Sequence, residues 1–173
     1  MIHLATGIAV RHGRLLMVAS RYPNHPKPLW NLPGGRQLPG ELLAETVVRE
    51  VFEETGLRAD VGEVAYISES YDGAQHFLNV TFALALRDDE SSFDSAQDDS
   101  DSAQNDSGSA EGDTNAGDHV VEVAWVPLSE AGERIAVAVV REPLLAYLSG
   151  ALAQRYAGFH EAGVTIQWPD DSR

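Results

Sequence analysis

The stretch GRQLPGELLAETVVREVFEETGL, residues 35–57, decides the fold of this chain. From Glu41 to Thr55 it has no helix-breaking residue, and its Leu, Ala, Glu and Arg residues favour a helix. Gly56 follows at the position where a left-handed cap ends a helix. Because no Ser, Thr, Asp or Asn lies just ahead, we expect Gly40 to be the N-cap residue.

This predicted helix has an apolar flank and an acidic flank. At about 100° per residue, five apolar residues share the predicted core face: Ala44, Val47, Val48, Val51 and Phe52. Steps of three and four place Glu50, Glu53 and Glu54 together on the other flank, where their like charges repel. Arg49 is four residues from both Glu53 and Glu45 and is expected to offset that charge. Such a cluster indicates a cation site, and a solvated acidic face is the alternative interpretation of three glutamates alone. With no His or Cys nearby, hard carboxylate oxygens favour Mg²⁺ or Mn²⁺ over zinc as that cation.

The fixed spacing of these residues carries a family resemblance. The stretch is similar to the Nudix hydrolase signature at every defined position: Gly35, Glu41, Arg49, Glu50, Val51, Glu53, Glu54, Gly56 and Leu57. Enzymes of that family cleave nucleoside diphosphates linked to another moiety. The resemblance extends over about residues 3–87 and 118–148. It implies the α/β class and a Nudix-type α/β/α sandwich with a mixed β-sheet, the signature helix on one side and the C-terminal helix on the other.

The resemblance also implies what the acidic flank does. Glu50, Glu53 and Glu54 would be the ligands of Mg²⁺, for which Mn²⁺ could substitute. Arg49 would orient them, so that Glu53, Glu54 and Arg49 are the expected catalytic residues. Glu41 would support the loop or an outer metal ion.

Substrate contacts are expected from the turn and the loop ahead of the helix. Gly34 and Gly35 would bring the backbone close to phosphates, as glycine permits; a purely structural turn is the alternative. The proline-rich loop RYPNHPKP supplies four candidates for contacting base or phosphate, with an exposed polar loop as the alternative: Arg21, Tyr22, His25 and Lys27. Trp30 either stacks on a ligand or covers the edge of the sheet.

The general base is less well defined by the sequence. Glu54 is one candidate, and family members often recruit a carboxylate from outside the signature. The outside candidates here are Asp118, Glu122 and Glu90. Asp118 lies just before the predicted closing strand, where other family members often carry an acidic residue.

Length and composition limit the remaining possibilities. A chain of 173 residues suits a single domain, here 1–173 with a short C-terminal extension at about 150–173. The absence of cysteine excludes disulfides, thiol catalysis and thiolate metal sites. No segment reaches the roughly 20 apolar residues that cross a bilayer, so we expect no membrane partner and a cytoplasmic location. The formal net charge of −15 argues against nucleic-acid polymers as partners.

That charge is concentrated in one segment, residues 88–118. It holds 11 of the 27 acidic residues and no Lys or Arg, so the rest of the chain has a net charge of −4. The segment has one aromatic residue and repeats itself, as DSAQDDS and then DSAQNDS. It is predicted to be a disordered acidic low-complexity insertion. Calcium binding is a more specific alternative for this segment, but its residues do not follow the ligand order of an EF-hand loop.

The remaining elements are predicted from apolar patterns and turn residues. The predicted strands are Leu4–Arg11, Arg14–Ser20, Leu29–Leu32, Asp60–Ser70, Gln75–Leu86 and Val120–Val126. One helix is expected to begin at an N-cap Ser129, and Ile135–Ala153 has helical spacing interrupted by Pro143 and Gly150. Val164–Trp168 could form a strand or pack against a partner subunit.

Taken together, these features predict a Mg²⁺-dependent hydrolase that cleaves the diphosphate linkage of a nucleoside diphosphate derivative. A nucleoside triphosphate is the first expectation, because the chain shows no large extra N-terminal domain. ADP-ribose, a nucleotide sugar or a dinucleotide comes next. Two alternatives from other classes stay open: a catalytically silent nucleotide sensor, and an interaction protein acting through its acidic segment. The partner is a small-molecule nucleotide, and the protein is expected to be a monomer or a homodimer.

Overall fold

The structure, a computed structural model, describes residues 1–87, 119–163 and 166. Within these residues the elements in chain order are β1 (Ile2–Ile8), β2 (Val10–Arg11), β3 (Arg14–Ser20), β4 (Leu29–Asn31), β5 (Gly34–Arg36), α1 (Leu43–Thr55), β6 (Ala59–Asp72), β7 (Gln75–Leu86), β8 (Val120–Pro127), α2 (Ala131–Arg134), α3 (Ala138–Leu148) and β9 (Tyr156–Phe159). The predictions for residues 88–118, including Glu90 and Asp118, lie outside the described residues. So does the predicted terminal strand, apart from Ile166.

The central feature is a five-stranded mixed sheet in the order β5-β1-β7-β6-β9. β1 pairs antiparallel with β5 and parallel with β7. β6 pairs antiparallel with β7 and parallel with β9. The predicted mixed α/β fold is therefore confirmed, and the bounds predicted for β3 and β7 are those observed.

A second sheet forms around β3, which the expectation of one mixed sheet did not include. β3 pairs antiparallel with β2 near one end, with β4 near the other, and with β8 along its length. All of β3 after Arg14 is buried, which matches its nearly continuous apolar sequence. β4 leads directly into β5, so the chain passes from the second sheet to the first just before α1.

Two hydrophobic clusters place the helices on opposite faces of the five-stranded sheet. In one, Val47 and Val51 of α1 pack with Ala5, Val80 and Phe82 of the sheet. The other joins β6, the second sheet and the region of α2 and α3, through Tyr66, Leu15, Met17, Ile135 and Leu144 among others. The sheet is thus covered by α1 on one side and by the second sheet and α3 on the other.

The start of α1 differs from the prediction, because Leu42 rather than Gly40 is the N-cap residue. Glu41 still belongs to a turn, in which its N–H donates to the carbonyl of Leu38 at 3.1 Å. Leu42 is extended, and the Glu45 carboxylate accepts its N–H at 2.7 Å. This hydrogen bond satisfies one of the backbone N–H groups that have no partner within the helix at its start. The end of the helix is as predicted, because Gly56 is left-handed with φ 72°.

The predicted core face of α1 was wrong in part. Val47 and Val51 are fully buried, but Val48 and Phe52 are 37% and 46% exposed. Glu50 and Glu54, predicted to lie on an acidic flank away from the core, are each only 7% exposed. The helix is rotated so that these two carboxylates face the β5 turn, while the Phe52 ring is covered by the guanidinium of Arg58.

The C-terminal region also departs from the prediction. Glu130 rather than Ser129 is the N-cap of α2, because residues 127–130 form a turn in which the N–H of Glu130 donates to the carbonyl of Pro127. Helix α3 begins only at Ala138, after Val137 in an extended conformation, and it includes Pro143. Strand β9 was not predicted. Among the described residues, no helix is long and apolar enough to span a membrane.

Candidate active site

The guanidinium group of Arg49 is the centre of the acidic cluster. Its Nε donates to Glu41 Oε1 at 2.7 Å, and its Nη1 donates to Glu50 Oε1 at 2.9 Å and to Glu53 Oε2 at 3.0 Å. Its Nη2 donates to Glu41 Oε2 and to the backbone carbonyl of Arg36. One residue therefore joins the loop ahead of α1 to two carboxylates of the helix. The expected contact between Arg49 and Glu53 is present. The other expected partner of Arg49 was Glu45, but Arg49 binds the loop residue Glu41 instead.

Glu41 is held in a fixed position by donors from three residues. Besides Arg49, the Thr46 hydroxyl donates to Glu41 Oε2 at 2.9 Å and the Leu38 N–H donates at 3.1 Å. The Arg49 hydrogen bonds in particular lower the pKa of Glu41 to about 2. Glu41 is thus ionised throughout the neutral range, and its hydrogen bonds hold the loop ahead of α1.

The carboxylate of Glu50 packs against the backbone of β5 at Gly35, in space that a side chain there would share. A Cβ atom added at Gly35 would lie 2.5 Å from both Cδ and Oε1 of Glu50. Burial raises the pKa of Glu50, and the charge and hydrogen bond of Arg49 oppose that rise. A buried carboxylate therefore packs directly on the turn predicted to approach phosphates.

Glu54 is the most deeply buried of the three helix carboxylates. Its Oε2 accepts the Gly34 N–H at 2.8 Å, and its Oε1 is 3.8 Å from Nε2 of His119. Burial first, and then the charges of Glu50 and Glu53, raise the pKa of Glu54 to about 8. Such a shift is a mark of functional carboxylates.

A cavity of about 90 Å³ lies next to Glu54. Gly34, Gly35 and Glu54 line it on the side of the signature, and Thr6, Phe77 and Asn79 line it along β1 and β7. The buried hydroxyl of Tyr22 has Ser20 and Asn31 as hydrogen-bond partners on another wall. Glu54 and the glycine turn thus border a partly open cavity with both polar and aromatic walls.

Comparison with known proteins identifies the family. The NUDIX domain profile matches residues 1–148. The chain belongs to the Nudix family. The expectation from residues 35–57 is thereby confirmed, and the carboxylate cluster around Arg49 is the Nudix signature of this chain.

Relatives and solved structures agree with this membership. A putative 8-oxo-dGTP diphosphatase of Bacillus subtilis (strain 168) is 43% identical over 67 residues, which are 35% of this chain and 44% of the relative. The CTP pyrophosphohydrolase of Escherichia coli (strain K12) is 35% identical over 63 residues, 36% of this chain and 47% of the relative. These matches span less than half of either relative. A NUDIX hydrolase structure from Nitrosomonas europaea has a TM-score of 0.64 at 19% identity, covering 90% of this chain and 91% of that chain, and supports the fold.

The predicted site residues are only partly brought together around the Nudix signature. Glu53, Glu54, Arg49, Glu50, Gly34 and Gly35 are close to one another, as described above. Arg21 is exposed, and its N–H donates to the carbonyl of His119. The ring of Trp30 contacts the guanidinium of Arg134 at 5.3 Å and packs against the core. Glu122 is exposed, opposite Ala19 on the second sheet. None of these last three lines the cavity among the described residues.

Several residues of the Nudix cavity were not singled out from the sequence. His119 directly follows the candidate Asp118, but nothing in its local pattern marks it. Ser68, Ser70 and Asp72 alternate along β6 and line the cavity, so their period of two was an available signal. Phe77 and Asn79, two residues apart on β7, also line the cavity.

The signature carboxylates fit a divalent cation in their chemistry. Glu50 and Glu54 are buried acids with raised pKa. The positive charge beside Glu50 is the guanidinium of Arg49, which also binds Glu53 and Glu41. A hard cation on these oxygens would offset both the burial and the mutual repulsion. In the described part of the chain, no three His, Asp or Glu side chains already surround one point as a ligand set. Glu50 and Glu53 instead both accept hydrogen bonds from Arg49.

The raised pKa of Glu54 predicts how stability depends on pH. The carboxyl keeps its proton in the folded protein up to about pH 8, whereas its ordinary pKa is 4.5. Unfolding between these values releases a proton, so the free energy of unfolding of metal-free protein should fall as pH rises from about 4.5 to about 8 and then level off. Urea unfolding in EDTA across this range measures the slope. Glu54→Gln should flatten it, and equal slopes in both proteins would contradict the assignment.

Proposed function

We propose that this protein hydrolyses the diphosphate linkage of a nucleoside diphosphate derivative, with a nucleoside triphosphate as its substrate. The observation that carries the proposal is the arrangement of the signature. Glu50 and Glu53 are held by one guanidinium, and Glu54 is bound to the Gly34 N–H beside a cavity. Acidic oxygens, the Gly34 turn and the cavity thus lie next to one another, which supports the proposal.

Under this proposal Glu50, Glu53 and Glu54 hold Mg²⁺, with Mn²⁺ as a substitute. The ion would neutralise the charge of the diphosphate and lower the pKa of the attacking water. Gly34 and Gly35 line the cavity without side chains, which would let phosphate oxygens come close to their backbone. Arg49 and Glu41 position the carboxylates and are not themselves ligands.

Deprotonated Glu54 is the described side chain best placed to accept the proton of the attacking water. Its Oε2 accepts the Gly34 N–H at 2.8 Å, so this carboxylate is held beside the turn predicted to approach phosphates. It also lines the cavity, whereas Glu122 is exposed on the second sheet. We therefore favour Glu54 over Glu122. Attack of water at the α- or β-phosphorus, in line with the bridging bond that breaks between them, would split a nucleoside triphosphate into a monophosphate and pyrophosphate.

The choice of a nucleoside triphosphate rests on the relatives. The names of the two relatives described above refer to 8-oxo-dGTP and CTP, both nucleoside triphosphates with different bases. They support the substrate class and leave the base open. ADP-ribose, a nucleotide sugar or a dinucleotide is the second candidate, and a silent nucleotide sensor is the third. We further propose that the protein is cytoplasmic and acts as a monomer or a homodimer on small molecules.

The test is a turnover assay on a panel of nucleoside triphosphates, nucleotide sugars, dinucleotides and ADP-ribose, each with Mg²⁺, Mn²⁺ or EDTA. We expect hydrolysis of triphosphates with either ion and none in EDTA. Preference for another class would replace the proposed substrate. Binding of nucleotides in a thermal melt without turnover of any substrate would support the sensor instead.

A further inference from the structure

The cavity extends across the sheet away from the signature. Gly34 is on β5, Thr6 on β1, Asn79 on β7 and Ser70 on β6, and all four line it. These strands are consecutive neighbours in the sheet. Because neighbouring strands are about 4.8 Å apart, the wall at β6 is about 14 Å from the wall at β5. If the diphosphate of a substrate lies at Gly34, the part of the substrate that reaches β6 is the part farthest from the diphosphate.

The wall beyond β6 comes from residues that follow the matched family domain. The NUDIX profile ends at residue 148, whereas Ala162 and Ile166 line the cavity. Ala162 is half-buried, and its N–H donates to the carbonyl of Tyr71 at 2.9 Å. The N–H of Ile166 donates to Oδ2 of Asp72, another lining residue, at 3.3 Å.

Residues 155–162, which we call the return segment, are fixed to β6 along their length. The carbonyl of Arg155 accepts the Ile67 N–H at 2.7 Å, and the Arg155 side chain pairs with Glu63 at 2.9 Å. β9 then runs parallel to β6. The Tyr156 hydroxyl donates to Glu69 Oε2. These contacts on β6 give the return segment a defined position at the cavity.

We propose that Ala162 of the return segment, together with Ile166, sets which substrates this enzyme accepts, by contacting the part of the substrate remote from its diphosphate. The proposal rests on the proposed function, because it assumes that the diphosphate lies at Gly34 and the signature. In a nucleoside triphosphate the remote part is the base. A small residue at 162 leaves room there, so a larger side chain would exclude a purine more strongly than a pyrimidine.

Ala162→Leu tests this directly, and Ala153→Leu is its matched control, since Ala153 is exposed and away from the cavity. For each protein we would measure kcat/KM for ATP, GTP, CTP and UTP with Mg²⁺, and dissociation constants for the four nucleoside monophosphates by calorimetry. Ala162→Leu should lower the purine-to-pyrimidine ratio about tenfold, the effect of altering a pocket by a few carbon atoms. Ala153→Leu should leave it unchanged.

A second variant keeps the test valid if the Ala162→Leu protein does not fold. Ile166→Ala removes atoms from a half-buried position and cannot overpack, so it should fold and shift the ratio in favour of purines. Ratios within twofold of the original in both lining variants would overturn the proposal. If the unmodified protein binds monophosphates but hydrolyses nothing, the proposed function fails, and the dissociation constants still test the wall. If it neither binds nor hydrolyses any of them, both proposals fail.

Discussion

Replacing Glu53 with Gln should lower kcat/KM for the preferred substrate by a factor on the order of 10³, the scale for loss of one preorganised charged or polar group at a reaction centre. Glu53 is the most exposed of the three helix carboxylates, at 30% of its side chain, and the hydrogen bond that it accepts comes from Arg49. Glutamine keeps the shape but removes the charge that a cation requires. Steady-state kinetics with saturating Mg²⁺ measures the loss, and circular dichroism measures the fold.

Glu45→Gln is the matched control on the same helix. Glu45 is exposed, and its carboxylate accepts the Leu42 N–H, an interaction that a glutamine oxygen retains. We expect its activity to stay within about twofold of the original, the small effect typical of surface substitutions. Full activity of the Glu53→Gln protein with Mg²⁺ would remove Glu53 from the metal-binding set.

Replacing Gly34 with Ala should lower the free energy of unfolding by about 3 kcal/mol, the upper end of the usual range for overpacking. Gly34 has φ +147°, and a Cβ there would lie 2.2 Å from the carbonyl oxygen of Ala5. That atom belongs to the backbone of β1 and cannot rotate away, so β5 must shift and the bond from the Gly34 N–H to Glu54 must weaken. Urea unfolding at pH 7 measures the change.

Gly40→Ala separates conformational strain from this clash. Gly40 also has positive φ, at +90°, but no atom lies within 4 Å of the position that a Cβ would take there. Its replacement should cost about 1 kcal/mol, because only the left-handed conformation is penalised. Equal losses in the two variants would show that the contact with Ala5 has no special importance.

Much of the fold could be predicted because local signals agree with the tertiary structure. Apolar patterns bounded by turn residues predicted the observed bounds of both β3 and β7. Gly56 ends α1 where a left-handed cap was expected. The spacing within residues 35–57 identified the family without any knowledge of the sheet. In each case a few neighbouring residues determine the outcome.

The errors occur where distant parts of the chain decide the outcome. Helical periodicity predicted an apolar core face, but the β5 turn draws Glu50 and Glu54 into a buried position and leaves Phe52 partly exposed. Strand β9 is short and half-exposed, and it is held by pairing with β6. His119 reaches Glu54 from a position 65 residues later in the chain. None of these arrangements leaves a local pattern in the sequence.

The way Glu50 and Glu53 share a single nitrogen of Arg49 has a consequence for metal uptake under the proposed function. A cation that draws both carboxylates competes with one donor, Nη1, for their oxygen atoms. The apparent affinity for the ion would then be the intrinsic affinity multiplied by the fraction of molecules in which the hydrogen bonds from Nη1 are broken. Glu41 keeps the other two nitrogens of the guanidinium in place. The guanidinium would therefore stay beside both carboxylates when an ion binds, and loss of the ion would leave their charges paired with Arg49.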